Sequence, residues 1–512
     1  MPIAQVVLLC LTFALCITMT MSAQSAAADD TGPDWSQYPA GVRVILENTK
    51  PLTQPLADRF PLLLWPAHDC VVQDERLQER IVVDLHKRGV AAFATWQPGK
   101  NERDKALADG LRLARIQQKL GLKVCVNANA CMYSFNNGDP STAYVDADGK
   151  PFFDKSIPNK IGSPFRLDHR YAAMREQVEF FARRYREAGV PLDFVYGDWE
   201  IDGPLEVNHA WDAAKRCTVT REHIPDIDTK FKAFQKAVRE KRGDMTKQCY
   251  TDPLLSRYPE ALVGNYAVYP HNGYRYWYDY FEYPVDHHPH VRHQNAMYRE
   301  WFDEFPLTGY TFAMPVVYPW SRIYDWYTWT DTDYRWFHNM LRIASNAGEH
   351  TRQGFSGMPV IAFIHWHTIF QDTQARDTQR FMQFSEEAYR ELVWHVTLRG
   401  VDALFLWCMS SEYAKEVELL HGAWSQTLRF ADFLTYGEPV LFDVPDEPGP
   451  VVSAVRWNGQ LLVRRTDFGI GHDGPVDIQV AGKTYRVPKT AGKCKIIELN
   501  RPHQFRLLDQ AN

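Results

Sequence analysis

Residues 192–202 read Leu-Asp-Phe-Val-Tyr-Gly-Asp-Trp-Glu-Ile-Asp, an apolar run that ends in carboxylates. The apolar part predicts a buried strand, and side chains two positions apart on a strand point to the same side. Asp198 and Glu200 therefore share one side, with Tyr196 one step below them and Trp199 on the other side. Two neighbouring carboxyl groups cannot both ionise cheaply, so one of them is expected to have a raised pKa and to hold a proton near neutral pH.

This pair of acids has two interpretations. A glycosidase needs one acid to protonate the leaving oxygen and one carboxylate to stabilise the developing positive charge. The alternative is a strand end whose acids are solvated or paired with an arginine. The position of the strand in the fold distinguishes the two interpretations.

Outward from this stretch, short apolar runs alternate with amphipathic segments. Strands are expected at 60–65, 90–96, 122–129, 192–202, 261–268, 311–317, 359–366 and 403–407. Helices are expected at about 74–88, 103–120, 170–188, 226–242, 333–347, 383–399 and 422–435. We expect Asp168 to cap the helix at 170–188 and Gly189 to end it.

Eight strands that alternate with helices are typical of a (β/α)8 TIM barrel, which belongs to the α/β class. An open doubly wound sheet is the alternative. That fold would carry a glycine-rich phosphate loop after its first strand, whereas residues 65–70 contain no glycine. A long polar stretch, 132–168, is predicted to form a loop over one end of the barrel.

The last part of the chain has a different pattern. Short β-type runs and the turn pair Asn458-Gly459 predict a small antiparallel β domain, which supports the barrel or binds carbohydrate. The predicted organisation is a signal peptide at 1–28, a leader at 29–57, the catalytic barrel at 58–436 and the β domain at 437–512.

The composition of the chain excludes several classes of binding partner. The chain has 512 residues, is 45% apolar and carries a net charge of −6 without long basic runs, so nucleic acid and anionic membranes are not expected partners. It is 13% aromatic, with 16 Trp and 25 Tyr, and such rings suit stacking against sugars as well as core packing. We expect a poly- or oligosaccharide substrate and no cofactor.

The N-terminus resembles an export signal. Residues 6–21 are uncharged and apolar, and small residues at Ala26 and Ala28 fit a signal-peptidase site. An uncleaved anchor is the alternative, although the run is short for a membrane span. We therefore expect a secreted or periplasmic protein with no stable membrane insertion after cleavage.

Of nine cysteines, Cys10 and Cys16 lie in the signal segment and seven remain. Because the number is odd, at least one is unpaired or bridges between chains. An oxidising compartment suggests one or two disulfides, with Cys217 and Cys249 as a candidate pair.

Active sites of such barrels lie at the carboxyl ends of the strands. That rule selects a set rich in acids, amides, Tyr, His and Trp, which suits a sugar cleft. The residues expected to contact substrate are Trp65, Asn129, Tyr266, Tyr269, Tyr318, His365 and Trp407. The rule also selects His68, Asp69, Trp96, Asn127 and Asp202, the last of which is alternatively a helix cap.

His365 and His367 share one face of the seventh strand and could hold a metal with a third ligand. No acidic third ligand is evident near them in the sequence. We therefore expect no metal, and histidines that form hydrogen bonds or contact substrate.

Several segments of the chain resemble those of known enzyme families. Asp193, four intervening residues and Asp198-Trp199-Glu200 resemble the Asp-rich strand-four motif of family 18 chitinases, with Tyr196 in place of another Asp. The Asp-x-Glu pair is also the signature of family 56 hyaluronidases. Three further segments are similar to hyaluronidase strands five, six and eight, namely 264–274, 314–318 and 404–411.

Two departures leave the substrate open. Hyaluronidases follow the acid pair with Trp-Arg-Pro, whereas residues 201–204 here read Ile-Asp-Gly-Pro. Their Asp-Cys after strand five is His271-Asn272 here. The resemblance therefore extends to the barrel and the acid pair, but not to hyaluronan.

The resemblance implies a substrate-assisted retaining mechanism on an N-acetylhexosamine sugar, in which the substrate's 2-acetamido oxygen attacks the anomeric carbon. Glu200 would be the general acid and then the base, and Asp198 would orient the acetamido group. Tyr318, with Tyr266 or Tyr269, would hydrogen-bond the acetamido oxygen, and Trp407 would lie under its methyl group.

Two other functions remain open at this point. One is a glycosidase that uses a second carboxylate from another strand, on a neutral or sulfated polysaccharide. The other is a barrel that binds carbohydrate without catalysis. Inhibition by thiazoline mimics of the oxazoline intermediate and turnover across a glycan panel separate the three.

Overall fold

The computed structural model describes residues 34–132, 138–153, 162–197, 210–266, 301–324, 327–355, 357–369, 381–499 and 505–506. Contacts group Tyr38–Asn512 into one compact unit, and the elements below belong to it. The division at 436/437 stays a prediction. Among the described residues no helix is both long and apolar enough to cross a membrane.

Eight short parallel strands build the barrel. They are β1 Leu63–Leu64, β2 Phe93–Thr95, β3 Cys125–Asn127, β4 Phe194–Gly197, β5 Leu262–Asn265, β6 Val316–Val317, β7 Ile361–Ile364 and β8 Ala403–Leu406. Ladders join β2 to β5 in order, and another joins β6, β7, β8 and β1. Each strand lies within the segment expected from the sequence.

Two further contacts close the circle between those ladders. Leu62 bridges to Val90 beside β2. The amide of Thr311, just before β6, donates to the carbonyl of Val263 in β5 at 2.9 Å. The predicted (β/α)8 barrel is confirmed, and the opening stretch supplies its fourth strand.

Helices surround the barrel and fill most of its connections. They are α1 Ala40–Asn48, α2 Glu75–His86, α3 Arg103–Lys119, α4 Tyr171–Glu187, α5 Ala210–Arg216, α6 Thr218–His223, α7 Phe231–Thr246, α8 Asp252–Leu255, α9 Trp301–Thr308, α10 Ser321–Tyr324, α11 Thr332–Gly354, α12 Glu386–Leu398, α13 Tyr413–Thr427 and α14 Ala431–Tyr436. Asp74, Asp331 and Ser385 cap α2, α11 and α12 by accepting a backbone N–H three residues on.

Two helix predictions are wrong in detail. Asp168 does not cap α4, since the N-cap is Arg170 and the Asp168 carboxylate instead pairs with Lys241. Gly189 does follow the helix with φ of 68°, as expected of a residue that ends it. The last predicted helix, 422–435, corresponds to two helices, of which the first begins at Tyr413 and ends at Thr427.

The loop predicted at 132–168 is described in part. Tyr144–Val145 pairs antiparallel with Pro151–Phe152 in a short hairpin. The Tyr144 side chain is fully buried, so this hairpin is packed against neighbouring residues.

The C-terminal region is antiparallel, as expected. Its strands are β9 Glu438–Pro439, β10 Pro450–Trp457, β11 Gln460–Asp467, β12 Val476–Val480, β13 Lys483–Val487, β14 Lys495–Glu498 and β15 Phe505–Arg506. The turn between β10 and β11 has positive φ at Asn458 (46°) and Gly459 (75°), the conformation that Asn-Gly favours in a two-residue hairpin.

A buried arginine joins this sheet to the barrel helices. Arg399, directly after α12, is fully buried. Its guanidinium donates to Ser453 Oγ and Ser345 Oγ at 2.8 Å and to the carbonyls of Phe442 and Val452 at 2.5 and 3.1 Å. Because these partners lie on α11, β10 and the connection before it, one side chain holds three segments together.

The expected disulfides are not formed. Cys70, Cys125, Cys131, Cys217, Cys249, Cys408 and Cys494 are all buried free thiols. The suggested pair of Cys217 and Cys249 is therefore wrong. The backbone amide of Val145 donates to Cys217, whereas Cys249 contacts the carbonyl of Tyr171.

Candidate active site

The interior of the barrel sets the direction of the strand-four side chains. Phe194 packs against Phe93 and Phe312, with ring centroids 6.4 and 5.2 Å apart, so it faces inward. Tyr196, two positions later, also faces inward and touches Phe405 of the opposite strand β8 at 4.7 Å. Inward-facing residues of alternate strands form layers in such barrels.

Several of the predicted contact residues meet at the carboxyl ends of β6, β7 and β8. Tyr318 stacks on Trp407 with ring centroids 6.0 Å apart and an interplanar angle of 22°. His365 lies against both rings, at 5.6 Å from Tyr318 and 5.7 Å from Trp407. Tyr266, at the end of β5, joins the group through Phe363, which contacts both tyrosines.

Trp65 and His68 form a second group, at the end of β1. His68 Nδ1 lies 2.7 Å from the Trp65 carbonyl, which can only accept, so Nδ1 carries the hydrogen. His68 Nε2 therefore accepts the hydroxyl proton of Tyr196 at 2.6 Å. Burial lowers the pKa of His68 to about 4 against the weaker opposing effect of the Trp65 bond, so the ring is neutral at neutral pH.

The two asparagines at the end of β3 support each other. Asn127 Oδ1 accepts the amide of Asn129 at 2.9 Å, which fixes the turn after the strand. Asn129 Oδ1 is buried and has no hydrogen-bond partner among the described residues. Asn129 therefore retains an unused acceptor at this end of the barrel.

Trp96 does not belong to the mouth. It is fully buried and stacks on Phe181 of α4 at 5.0 Å, with an interplanar angle of 8°. It therefore packs in the layer between the barrel and its helices.

The central acids lie outside the described residues. The structure describes β4 as far as Gly197, and the described chain resumes at Ala210. What the sequence predicts for Asp198, Glu200, Asp202 and Tyr269 therefore stays a prediction.

The expectation that His365 and His367 have no acidic partner is wrong. Glu416, in the first turn of α13, is fully buried, and its Oε1 accepts His367 Nδ1 at 2.8 Å. His365 Nδ1 lies 2.9 Å from the same oxygen, and His365 Nε2 lies 3.7 Å from Glu412 Oε2. The start of α13 thus places two carboxylates against the end of β7.

The electrostatics of this group follow from the pairing. Burial alone would raise the pKa of Glu416, but the neighbouring His365 and His367 outweigh it and lower that pKa to about 2. Burial alone would lower the pKa of His367, but its bond to Glu416 outweighs it and raises that pKa. Glu416 is therefore an anion at neutral pH.

The spacing of Glu412 and Glu416 was already visible in the sequence. Glu412 and Glu416 are four residues apart, which places them on one face where a helix starts. Because the helix was expected to begin at residue 422, the spacing did not indicate that the two side chains share one face of a helix.

No protein-family model matches the chain, and no curated protein matches it. Among solved structures, α-L-fucosidase isoenzyme 2 from Paenibacillus thiaminolyticus is similar at 11% identity and a TM-score of 0.43, over 75% of this chain and 51% of that one. A GH36 α-galactosidase from Geobacillus stearothermophilus in complex with stachyose is similar at 12% identity and a TM-score of 0.39, over 89% and 57%. A β-galactosidase from the psychrophilic Marinomonas ef1 is similar at 12% identity and a TM-score of 0.40, over 72% and 59%. The chain thus spans between 51% and 59% of the length of these three enzymes.

Proposed function

We propose that this protein is a glycoside hydrolase that cleaves an N-acetylhexosamine-containing poly- or oligosaccharide by a substrate-assisted retaining mechanism. The observation that carries the proposal is the contact between Tyr196 and Phe405 across the barrel. Asp198 and Trp407 each follow by two positions, so strand parity predicts that they face each other one layer higher. An acid of strand four would then lie opposite an aromatic floor at the mouth.

The described neighbours suit a sugar ring with an acetamido group. Trp407 is half-buried and braced by Tyr318, so its remaining exposed surface offers an apolar platform. The Tyr318 ring belongs to the same group, and its hydroxyl would bond a substrate oxygen near that platform. Glu200, one further same-side position along, would donate the proton to the leaving oxygen.

The roles of the two acids follow from their spacing. Same-side neighbours on one strand lie close together, which suits a proton donor beside an electrostatic partner. Two carboxylates that act from opposite sides of one bond need a larger separation. Asp198 would therefore orient the substrate's acetamido group, and the acetamido oxygen would be the nucleophile.

The proposal is tested with a panel of chitin-type, hyaluronan-type and sulfated oligosaccharides. We expect cleavage only of sugars that carry a 2-acetamido group, with retention of the anomeric configuration by NMR and strong inhibition by thiazoline compounds. Cleavage of neutral sugars without such inhibition would favour the two-carboxylate mechanism. Binding without turnover across the panel would show a carbohydrate-binding barrel.

We also propose that the protein acts outside the cytoplasm, because the segment at 1–28 resembles an export signal. Polymeric substrates of this class cannot enter a cell before they are cut, so export and a polysaccharide substrate support each other.

A further inference from the structure

The carboxyl end of β7 and the start of α13 bring ligating side chains together. His365, Glu412 and Glu416 each offer one ligand atom, and these atoms all lie within 4.8 Å of one another. His365 directly follows the strand, Glu412 is the N-cap residue of α13, and Glu416 lies in the first turn of that helix. The ends of two regular elements therefore set these positions.

His365 lies at ion-pair distance from Glu416, but its Nδ1 does not form a hydrogen bond with that carboxylate. Its side chain is only 2% exposed, and its Nδ1 has no hydrogen-bond partner among the described residues although Glu416 Oε1 is 2.9 Å away. A protonated ring would direct its N–H at that oxygen, whereas here the oxygen lies off the N–H direction. Two ligands on one cation behave differently, because bonds of about 2.1 Å place the ligand atoms about 3.0 Å apart in an octahedral site and about 3.4 Å apart in a tetrahedral one.

Glu416 is held in place independently of His365. Its carboxylate accepts the backbone N–H of Trp366 at 3.0 Å and that of His367 at 2.8 Å, and the His367 ring donates to it as well. A buried carboxylate is costly unless it is paired or bound to a metal. The backbone donors orient this one toward the His365 ring.

Charge and ligand type point to a particular class of cation. As metal ligands, two carboxylates and one imidazole supply a total charge of −2, which matches a dication. An imidazole ligand favours first-row transition metals over calcium and magnesium, which prefer oxygen alone. We propose that His365, Glu412 and Glu416 form a binding site for a first-row divalent cation such as Zn2+ or Mn2+.

This site does not depend on the proposed glycosidase activity. It borders the same mouth, because the His365 ring lies 5.7 Å from Trp407. A cation there would fix the His365 ring beside the aromatic platform. Metal binding is measured without a substrate. A result against the metal site is therefore distinguishable from a result against the proposed glycosidase function.

The test uses the chain from Asp29 onward, freed of any affinity tag and stripped with EDTA. Isothermal titration with Zn2+ and, separately, with Mn2+ should show one site per chain, with Ca2+ at least tenfold weaker. His365→Ala and Glu412→Gln should each weaken binding at least tenfold. Glu418→Gln, on the same helix with a side chain 53% exposed, is the matched control and should leave it unchanged.

Glu412 is the preferred substitution because it is 22% exposed and its replacement leaves the buried Glu416 network intact. Circular dichroism confirms that each variant is folded before titration. A folded parent chain that binds neither metal would overturn the proposal and identify the cluster as an ion-pair network. Binding that is unchanged in both the His365 and the Glu412 variants would overturn it as well.

Discussion

Acidification is expected to destabilise the protein through histidines that burial keeps neutral, and His421 is the clearest of them. It lies on α13, is 4% exposed, and its Nε2–H donates to the carbonyl of Arg88 at 3.0 Å. Burial lowers its pKa to about 4, which exceeds the opposing effect of that hydrogen bond. The same histidine in the unfolded chain has a pKa of about 6.5.

The sign and size follow from these two values. Between pH 6.5 and pH 4 the unfolded chain binds a proton that the folded protein does not, so stability is lost as the pH falls through that window. The loss is about 2 kcal/mol between pH 7.5 and pH 5, and it approaches about 3 kcal/mol below pH 4. His338, 1% exposed, has a pKa lowered to about 3 by burial and by Arg342, and it adds a loss of the same sign.

The assay is urea unfolding of the parent chain and of His421→Gln at pH 7.5 and pH 5. Because glutamine does not titrate, the parent should lose about 2 kcal/mol more than the variant between the two pH values. His86→Gln, at an exposed position, should lose as much as the parent. Equal losses in the parent and His421→Gln would refute the assignment of a neutral buried histidine.

Two further predictions concern the C-terminal sheet and the N-terminus. Arg399→Met should lower the unfolding free energy by about 3 kcal/mol or more in urea, because it leaves buried carbonyls and hydroxyls without their charged donor. Exposed Arg429→Met should change it little, and equal values for the two variants would contradict the role of Arg399. The chain exported from a bacterial host should begin at Asp29 by intact mass, and a secreted chain that retains residues 1–28 would contradict signal cleavage.

The sequence predicted the barrel well, because strand parity and apolar runs are local properties. The positions of β4, β5 and β8 all lie within the expected segments, and Tyr196 faces inward as the alternation requires. The Asn458-Gly459 turn was equally predictable, since few residue pairs accept positive φ twice in succession.

Features that depend on distant segments were not predictable in the same way. Trp96 was assigned to the mouth from its place after β2, but its ring packs outward on Phe181. Asp168 was assigned as a helix cap, but Lys241, far along the chain, pairs with it instead. Local pattern gives the position of a side chain along an element and says nothing of the partner that packs against it.

The acids at the start of α13 were missed for a related reason. Residues 412–421 include three glutamates, a lysine and a histidine, and this polarity did not indicate a helix that packs on the barrel. Of these residues, Glu416 and His421 become buried. Glu416 is buried because the end of β7 supplies its amide and imidazole partners. A buried polar residue of this kind is recognisable only when its partners are known.

The proposed mechanism depends most on Glu200 as the proton donor. The direct measurement is the rate of hydrolysis of the preferred acetamido sugar by Glu200→Gln, with Glu187→Gln on the outer surface of α4 as the control. Loss of a general acid is expected to lower kcat by about 10²- to 10⁴-fold, while KM for the sugar changes little and the control keeps full activity. A folded Glu200→Gln protein that hydrolyses the sugar at the rate of the parent chain would contradict the account.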